Sequence, residues 1–169
     1  MAVLQENFTN SDGNDYCTST IWLAQTFTPA KAHSIIQIDL LLFRVSNPGT
    51  ATVSIRATDG SGLPTGADLT SGTLDVSAIT TDTNGLWYSF SVTPYALTAG
   101  VKYAIVLRAS NAAPNYLRWR DMSTGGYTGG NWCYSADSGS SWSYDANYDL
   151  TFKEYSPDVA VGRSQGLIF

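Results

Sequence analysis

The sequence predicts an all-β fold, an antiparallel β-sandwich of about eight or nine strands, and three observations predict it. Apolar and polar residues alternate along short segments. In Ala51 to Thr58, for example, Ala51, Val53, Ile55 and Ala57 share one face and Thr52, Ser54, Arg56 and Thr58 the other. Turn residues punctuate these segments at sandwich-like intervals: Asn47-Pro48-Gly49, Asp59-Gly60, Asn84-Gly85 and Ala99-Gly100. Hydrophobic residues make up 43% of the chain but charged residues only 14%, so the polar surface must come from Ser, Thr, Asn and Gly, which suit strands and turns better than helices.

Residues 1–19 read as a polar, irregular segment. Thr20 to Thr28 is a first strand, ended by Pro29. His33 to Val45 is long and apolar, with Ile36, Ile38, Leu40 and Leu42 on one parity and Leu41, Phe43 and Val45 on the other. Either a strand covered on both faces or a bulge that switches the inward parity accounts for this, and the following Asn-Pro-Gly turn disfavours a helix. The strand at Ala51 to Thr58 comes next. The loop after it, Asp59 to Gly66, has the oxygen-rich look of a calcium loop but lacks the paired carboxylates, so a plain hairpin loop is expected.

A short strand is expected near Ala67 to Leu74. In Leu86 to Val92 the inward set is Leu86, Tyr88, Phe90 and Val92, which puts Trp87 on the outer face with Ser89 and Ser91. Val101 to Ala109 turns Val101, Tyr103, Ile105 and Leu107 inward. Asn115 to Arg120, Gly130 to Ala136 and Tyr148 to Tyr155 complete the set, the last with Leu150 and Phe152 in and Thr151 and Lys153 out. Residues 156–169 form a tail ending in Leu167-Ile168-Phe169. With no βαβ alternation and no repeat, the expected architecture is one jelly-roll-like domain over 20–155.

The bulk properties disfavour several function classes. Net charge is −5, the only lysines are Lys31, Lys102 and Lys153, and no basic run exists, so neither nucleic acid nor a membrane surface is an expected partner. No apolar run approaches the roughly 18–20 residues of a membrane span, and the N-terminus does not read as a secretory signal. Cys17 and Cys133 either form one bridge or stay as buried free thiols, the reading favoured without an export signal.

No catalytic apparatus is recognisable. The single histidine, His33, has no Cys or second His beside it, so no metal and no cofactor are expected. The two glutamates, Glu6 and Glu154, lie at opposite ends of the chain, and most aspartates sit in turns. What remains is binding. The stretch 116–148 is the densest in aromatics, and rings on a sheet or loop stack on the apolar faces of sugars while neighbouring polar groups take the hydroxyls. Candidate glycan- or surface-binding residues are Trp87, Tyr116, Arg118, Arg120, Tyr127, Trp132 and Tyr144.

One motif is sharp. Ser135, Asp137, Gly139, Ser141 and Trp142 fill S-x-D-x-G-x-[ST]-W, which resembles the Asp-box of sialidases, a structural hairpin lying away from the active site. Over residues 20–155 the wider pattern resembles β-sandwich modules of phage virion proteins and of cell-surface proteins beside carbohydrate-binding modules. It includes A-Q-T-F-T-P at 24–29, V-S-I-R-A-T-D-G-S-G at 53–62, L-T-A-G-V-K-Y-A-I-V-L-R at 97–108 and D-L-T-F-K at 149–153. The resemblance implies a non-enzymatic structural or adhesive subunit on a virion made in the host cytoplasm, a capsid decoration or tail accessory, with Leu167, Ile168 and Phe169 as an assembly tail. Other subunits, including copies of itself, are the implied partners. The alternative is a carbohydrate-binding module of a cell-surface or secreted protein, with glycans as partners.

Overall fold

Thirteen strands build two antiparallel sheets in the computed structural model, which describes residues 1–158. They are β1 (Ala2–Phe8), β2 (Gly13–Cys17), β3 (Trp22–Phe27), β4 (His33–Val45), β5 (Thr50–Thr58), β6 (Pro64–Asp75), β7 (Leu86–Leu97), β8 (Tyr103–Ala109), β9 (Tyr116–Met122), β10 (Trp132–Ser135), β11 (Ser143–Asp145), β12 (Asp149–Leu150) and β13 (Phe152–Pro157). The seven-stranded sheet runs β1-β13-β4-β9-β12, with β2 added on β9 and β7 on β4; the six-stranded sheet runs β11-β10-β3-β8-β5-β6. This is the expected all-β, jelly-roll-like sandwich, with more strands than the eight or nine expected.

The extra strands have identifiable causes. Residues 1–19, expected to be irregular, supply β1 and β2: β1 pairs with β13, and β2 lies along β9 from Gly13↔Asp121 to Cys17↔Leu117. Their polar composition hid them, because each is an edge strand with one face or edge in water. The expected last strand splits in two at Thr151, which is fully buried rather than outward because its N–H and Oγ1 both donate to the Arg120 carbonyl. Ser156 and Pro157 belong to β13, so the tail begins later than expected; Leu167, Ile168 and Phe169 lie outside the described residues.

The core between the sheets explains the sequence pattern. On β4 the parity switch is a bulge: the register against β7 slips between Ile35 and Gln37, so Ile35 points in from one parity and Ile38, Leu40 and Leu42 from the other. The unbroken apolar run of β8 has another cause. Tyr103, Ile105 and Leu107 face the core, while Ala104 and Val106 face outward into a second cluster with Ala24 and Cys133, covered by Trp22, Leu63 and Trp142. Leu86 and Val101, expected to point inward, are exposed: Leu86 is the first residue of β7, and Val101 precedes β8 in the turn after Gly100.

The two cysteines lie on opposite sides of the six-stranded sheet, Cys17 in the core and Cys133 in the outer cluster. Both are buried free thiols. Burial pushes the Cys133 thiol up to about 12, so neither thiol is poised to react. No helix among the described residues is long and apolar enough to cross a membrane.

Candidate functional site

β2 and β11 lie at the margins of their sheets, and between them opens a cleft of about 280 Å³ lined by Asn14, Asp15, Asp121, Trp132, Asp145 and Tyr148. Strand pairing places its acids. On β9 the buried side chains are Leu117, Trp119 and Asp121, while Tyr116, Arg118 and Arg120 face the other way. β2 pairs Asp15 with Trp119 and Gly13 with Asp121, so Asp15 and Asp121 are diagonal neighbours on the inner face. Gly13 leaves room for the Asp121 carboxylate, which a side chain at this position would have to displace. From the opposite sheet, β10 turns Trp132 and Tyr134 inward and Cys133 outward.

The cleft holds unsatisfied polar groups. Asp121 is 5% exposed, and none of the influences on its carboxyl is a hydrogen bond. Burial, with Asp15 and Asp12 nearby, raises its pKa to about 6 against the opposing pull of Arg120. Burial also raises Asp15, offset in part by the Tyr16 N–H donating at 2.7 Å. The Trp132 indole N–H lies close enough to Asp15 to draw its pKa down, yet it falls short of hydrogen-bond geometry and is buried without a partner. The Trp132 ring stacks on Tyr134 (5.8 Å between centroids, 15° between planes) and meets Tyr148 at 6.1 Å. Asp145, at the rim, accepts from the Asn147 backbone at 2.8 Å.

The raised Asp121 gives a signed prediction. Its folded pKa lies above its unfolded value, so the stability it contributes is fully present below about pH 4 and is lost as pH rises through about 6. Asp121→Asn is therefore expected to match the parent protein in acid and to exceed it above pH 6 by about 1 kcal/mol, after discounting for solvent at the cleft mouth. Urea midpoints of parent and variant across that range check it; an advantage of the variant over the parent that is no larger at pH 7 than at pH 4 contradicts the burial of this charge.

Of the expected binding residues, only Trp132 lines the cleft. Tyr116, Arg118 and Arg120 share the outer face of the seven-stranded sheet, where the Arg118 guanidinium lies 5.0 Å from the Tyr16 ring and 5.2 Å from the Tyr116 ring. Trp87 is half-buried on that face with Lys153 Nζ 4.0 Å from its ring centre. Tyr127 is instead packed inside, edge-on to Phe152 at 5.2 Å and beside Phe8. Tyr144 is exposed on β11. In the 135–142 hairpin, Asp137 accepts from the Ser141 N–H and Oγ–H (2.8 and 2.6 Å) and from Ser135 Oγ–H (2.8 Å), Gly139 adopts φ +81°, and Trp142 covers the outer cluster. Those donors hold the Asp137 carboxyl down at about 2.

Two groupings were not legible beforehand. Glu6 and Glu154, at opposite ends of the chain, are neighbours across β1 and β13: Glu154 is fully buried, accepts from the Glu6 N–H at 3.1 Å and meets His33 Nε2 at 2.9 Å. His33 Nδ1 faces the Lys31 carbonyl at 2.9 Å, so it must carry a proton, and Nε2 shares one with Glu154. Neither ring nitrogen has a lone pair left for a substrate, and the group reads as a pin holding β1 and β13 to β4. On the outer face of the six-stranded sheet, the Arg56 and Arg108 guanidinium groups lie 5.2 and 5.0 Å from the Trp22 ring, and both bind Asp68. Its charges are already paired. Among the described residues, the buried side-chain polar atoms without a partner are Trp132 Nε1 in the cleft and, away from it, Arg120 Nε, Tyr127 Oη and Trp142 Nε1. No known protein family matches the chain, and no curated protein is similar to it.

Proposed function

We propose that the protein is a non-enzymatic binding module that seats a sugar residue of a glycan in the cleft between β2 and β11. One observation carries this reading: in a single cleft, the unpartnered Asp121 carboxylate and Trp132 indole N–H stand beside the rings of Trp132 and Tyr148. A sugar offers what both kinds of surface lack, hydroxyls for the polar groups and a C–H face for the rings. On a glycan array the protein is expected to bind a defined set of structures, and Trp132→Ala to weaken that binding about tenfold or more. Well-folded protein that binds no glycan, or that binds as well without Trp132, overturns this reading.

A second reading, a virion-surface or cell-surface subunit that works by assembly, is favoured by β1. It is an edge strand with Val3 41% and Leu4 45% exposed and one side unpaired, the type of surface to which another chain adds a strand. The sequence resemblance to phage virion modules supports the same setting, and a surface subunit that adheres through glycans satisfies both readings. Sizing the protein by light scattering tests assembly. Leu4→Lys is expected to give smaller particles than the parent, as is a truncation after Asp158, which spares β13. Identical size for all three overturns it.

A further inference from the structure

Building on the cleft as a sugar site, we propose that the residue it takes is cationic: a protonated amino sugar of the glucosamine type, as in deacetylated chitin-like glycans. Three carboxylates, Asp15, Asp121 and Asp145, line the cleft, and no Lys, Arg or His lines it among the described residues. The nearest arginines draw these acids down only from a distance, Arg120 acting on Asp121 and Arg118 on Asp15, and among the described residues neither forms an ion pair with them. Arg118 is engaged with Tyr16 and Tyr116 on the opposite face of β9, and the Arg120 side chain leaves by that same face toward the Thr83 carbonyl.

An acidic cluster alone does not define a ligand, and a second observation points to one here. Asp121 is 5% exposed, lines the cleft and has no hydrogen-bond donor, so its oxygens are presented to whatever enters. A neutral hydroxyl donates a hydrogen bond to it but leaves the buried charge uncompensated; an ammonium group does both. The faces of Trp132 and Tyr148 attract a cation by their ring quadrupoles, and the C–H face of the same sugar lies against them. A bare divalent cation is the weaker fit, because no group of three or more acidic, His or Cys side chains among the described residues is arranged to hold a metal ion.

The experiment is titration calorimetry near neutral pH, with chitosan oligomers, their fully N-acetylated counterparts and tetramethylammonium chloride as probes. The chitosan oligomers are expected to bind about tenfold or more tighter than the acetylated ones, and Asp121→Asn to remove most of that difference. Asp145→Asn, half-buried at the rim and able to keep the acceptor of its turn, is expected to remove a smaller part. Equal affinity for both oligomers, unchanged in Asp121→Asn, overturns the cationic ligand and leaves the sugar site standing. Binding of tetramethylammonium that depends on Asp121, with no binding of either oligomer, supports the cation and overturns the sugar. No binding of any of the three overturns the inference.

Discussion

Gln25→Leu is expected to cost about 3 kcal/mol of folding stability, although leucine matches the side chain in size and the position is fully buried. Gln25 sits on β3, opposite Trp132 on β10 and Ile105 on β8, and its amide reaches across to the other sheet. Nε2 donates to Asp149 Oδ1 of that sheet at 3.0 Å and to the Thr26 carbonyl of its own strand at 3.1 Å, while Oε1 accepts from the Leu150 N–H at 2.7 Å. The second Asp149 oxygen accepts from the Tyr127 N–H at 2.9 Å, so one amide and one carboxylate together hold β3, β12 and the loop before β10. Leucine leaves Asp149, 2% exposed and already raised by burial, without its side-chain partner, and leaves the Leu150 N–H with no acceptor. Urea unfolding measures the loss, with an unchanged slope showing that the unfolded state is the same. Gln25→Leu combined with Asp149→Leu is expected to cost less than the two single changes added, since the pair then leaves fewer buried groups unsatisfied. A single-variant loss below about 1 kcal/mol shows that water replaces the amide and that the network does not join the sheets.

That network was out of reach of sequence reading, and the reason is physical. Alternation reports which parity is apolar, so it found β5 and β7; on β4 the apolar residues of both parities left a bulge and a strand covered on both faces as alternatives, and the structure places the bulge earlier, between Ile35 and Gln37. It misread strands whose inward residues are polar. Gly-Asn-Asp-Tyr-Cys at 13–17 carries Asp15 and Cys17 inward and looks like a loop, yet it supplies one wall of the cleft. Asp121 stands directly after the alternating Leu117 and Trp119, so continuing that parity by one step was the available signal that a carboxylate points inward. The aromatic density of 116–148 did locate Trp132. It could not separate Trp132 from Tyr116 on the opposite face or from Tyr127 in the core, because density carries no facing information. Glu6 meets Glu154 only because the first and last strands pair, a topological fact with no local trace.

The cleft and the core meet at Trp119, and Trp119→Ala is expected to have the largest effect of any single change, about 4 kcal/mol. The side chain is fully buried, and its indole N–H donates to the Thr151 carbonyl at 2.6 Å, where β12 gives way to β13. Thr151 in turn returns its own N–H to the Arg120 carbonyl on β9, so the indole clamps the point where the chain crosses from one pairing to the next. Alanine leaves a cavity in a wall made of strands that cannot close over it, and strands the Thr151 carbonyl as well. Trp119→Phe separates the two contributions: it keeps most of the ring and loses the donor, with an expected cost of about 1–2 kcal/mol. Because Trp119 lies opposite Asp15 and two residues before Asp121, its loss is also expected to weaken ligand binding in the cleft under conditions where the variant is still folded. If Trp119→Phe keeps full ligand affinity while Trp119→Ala loses it, packing beneath the acids positions them; if both lose it equally, the hydrogen bond to Thr151 sets their placement.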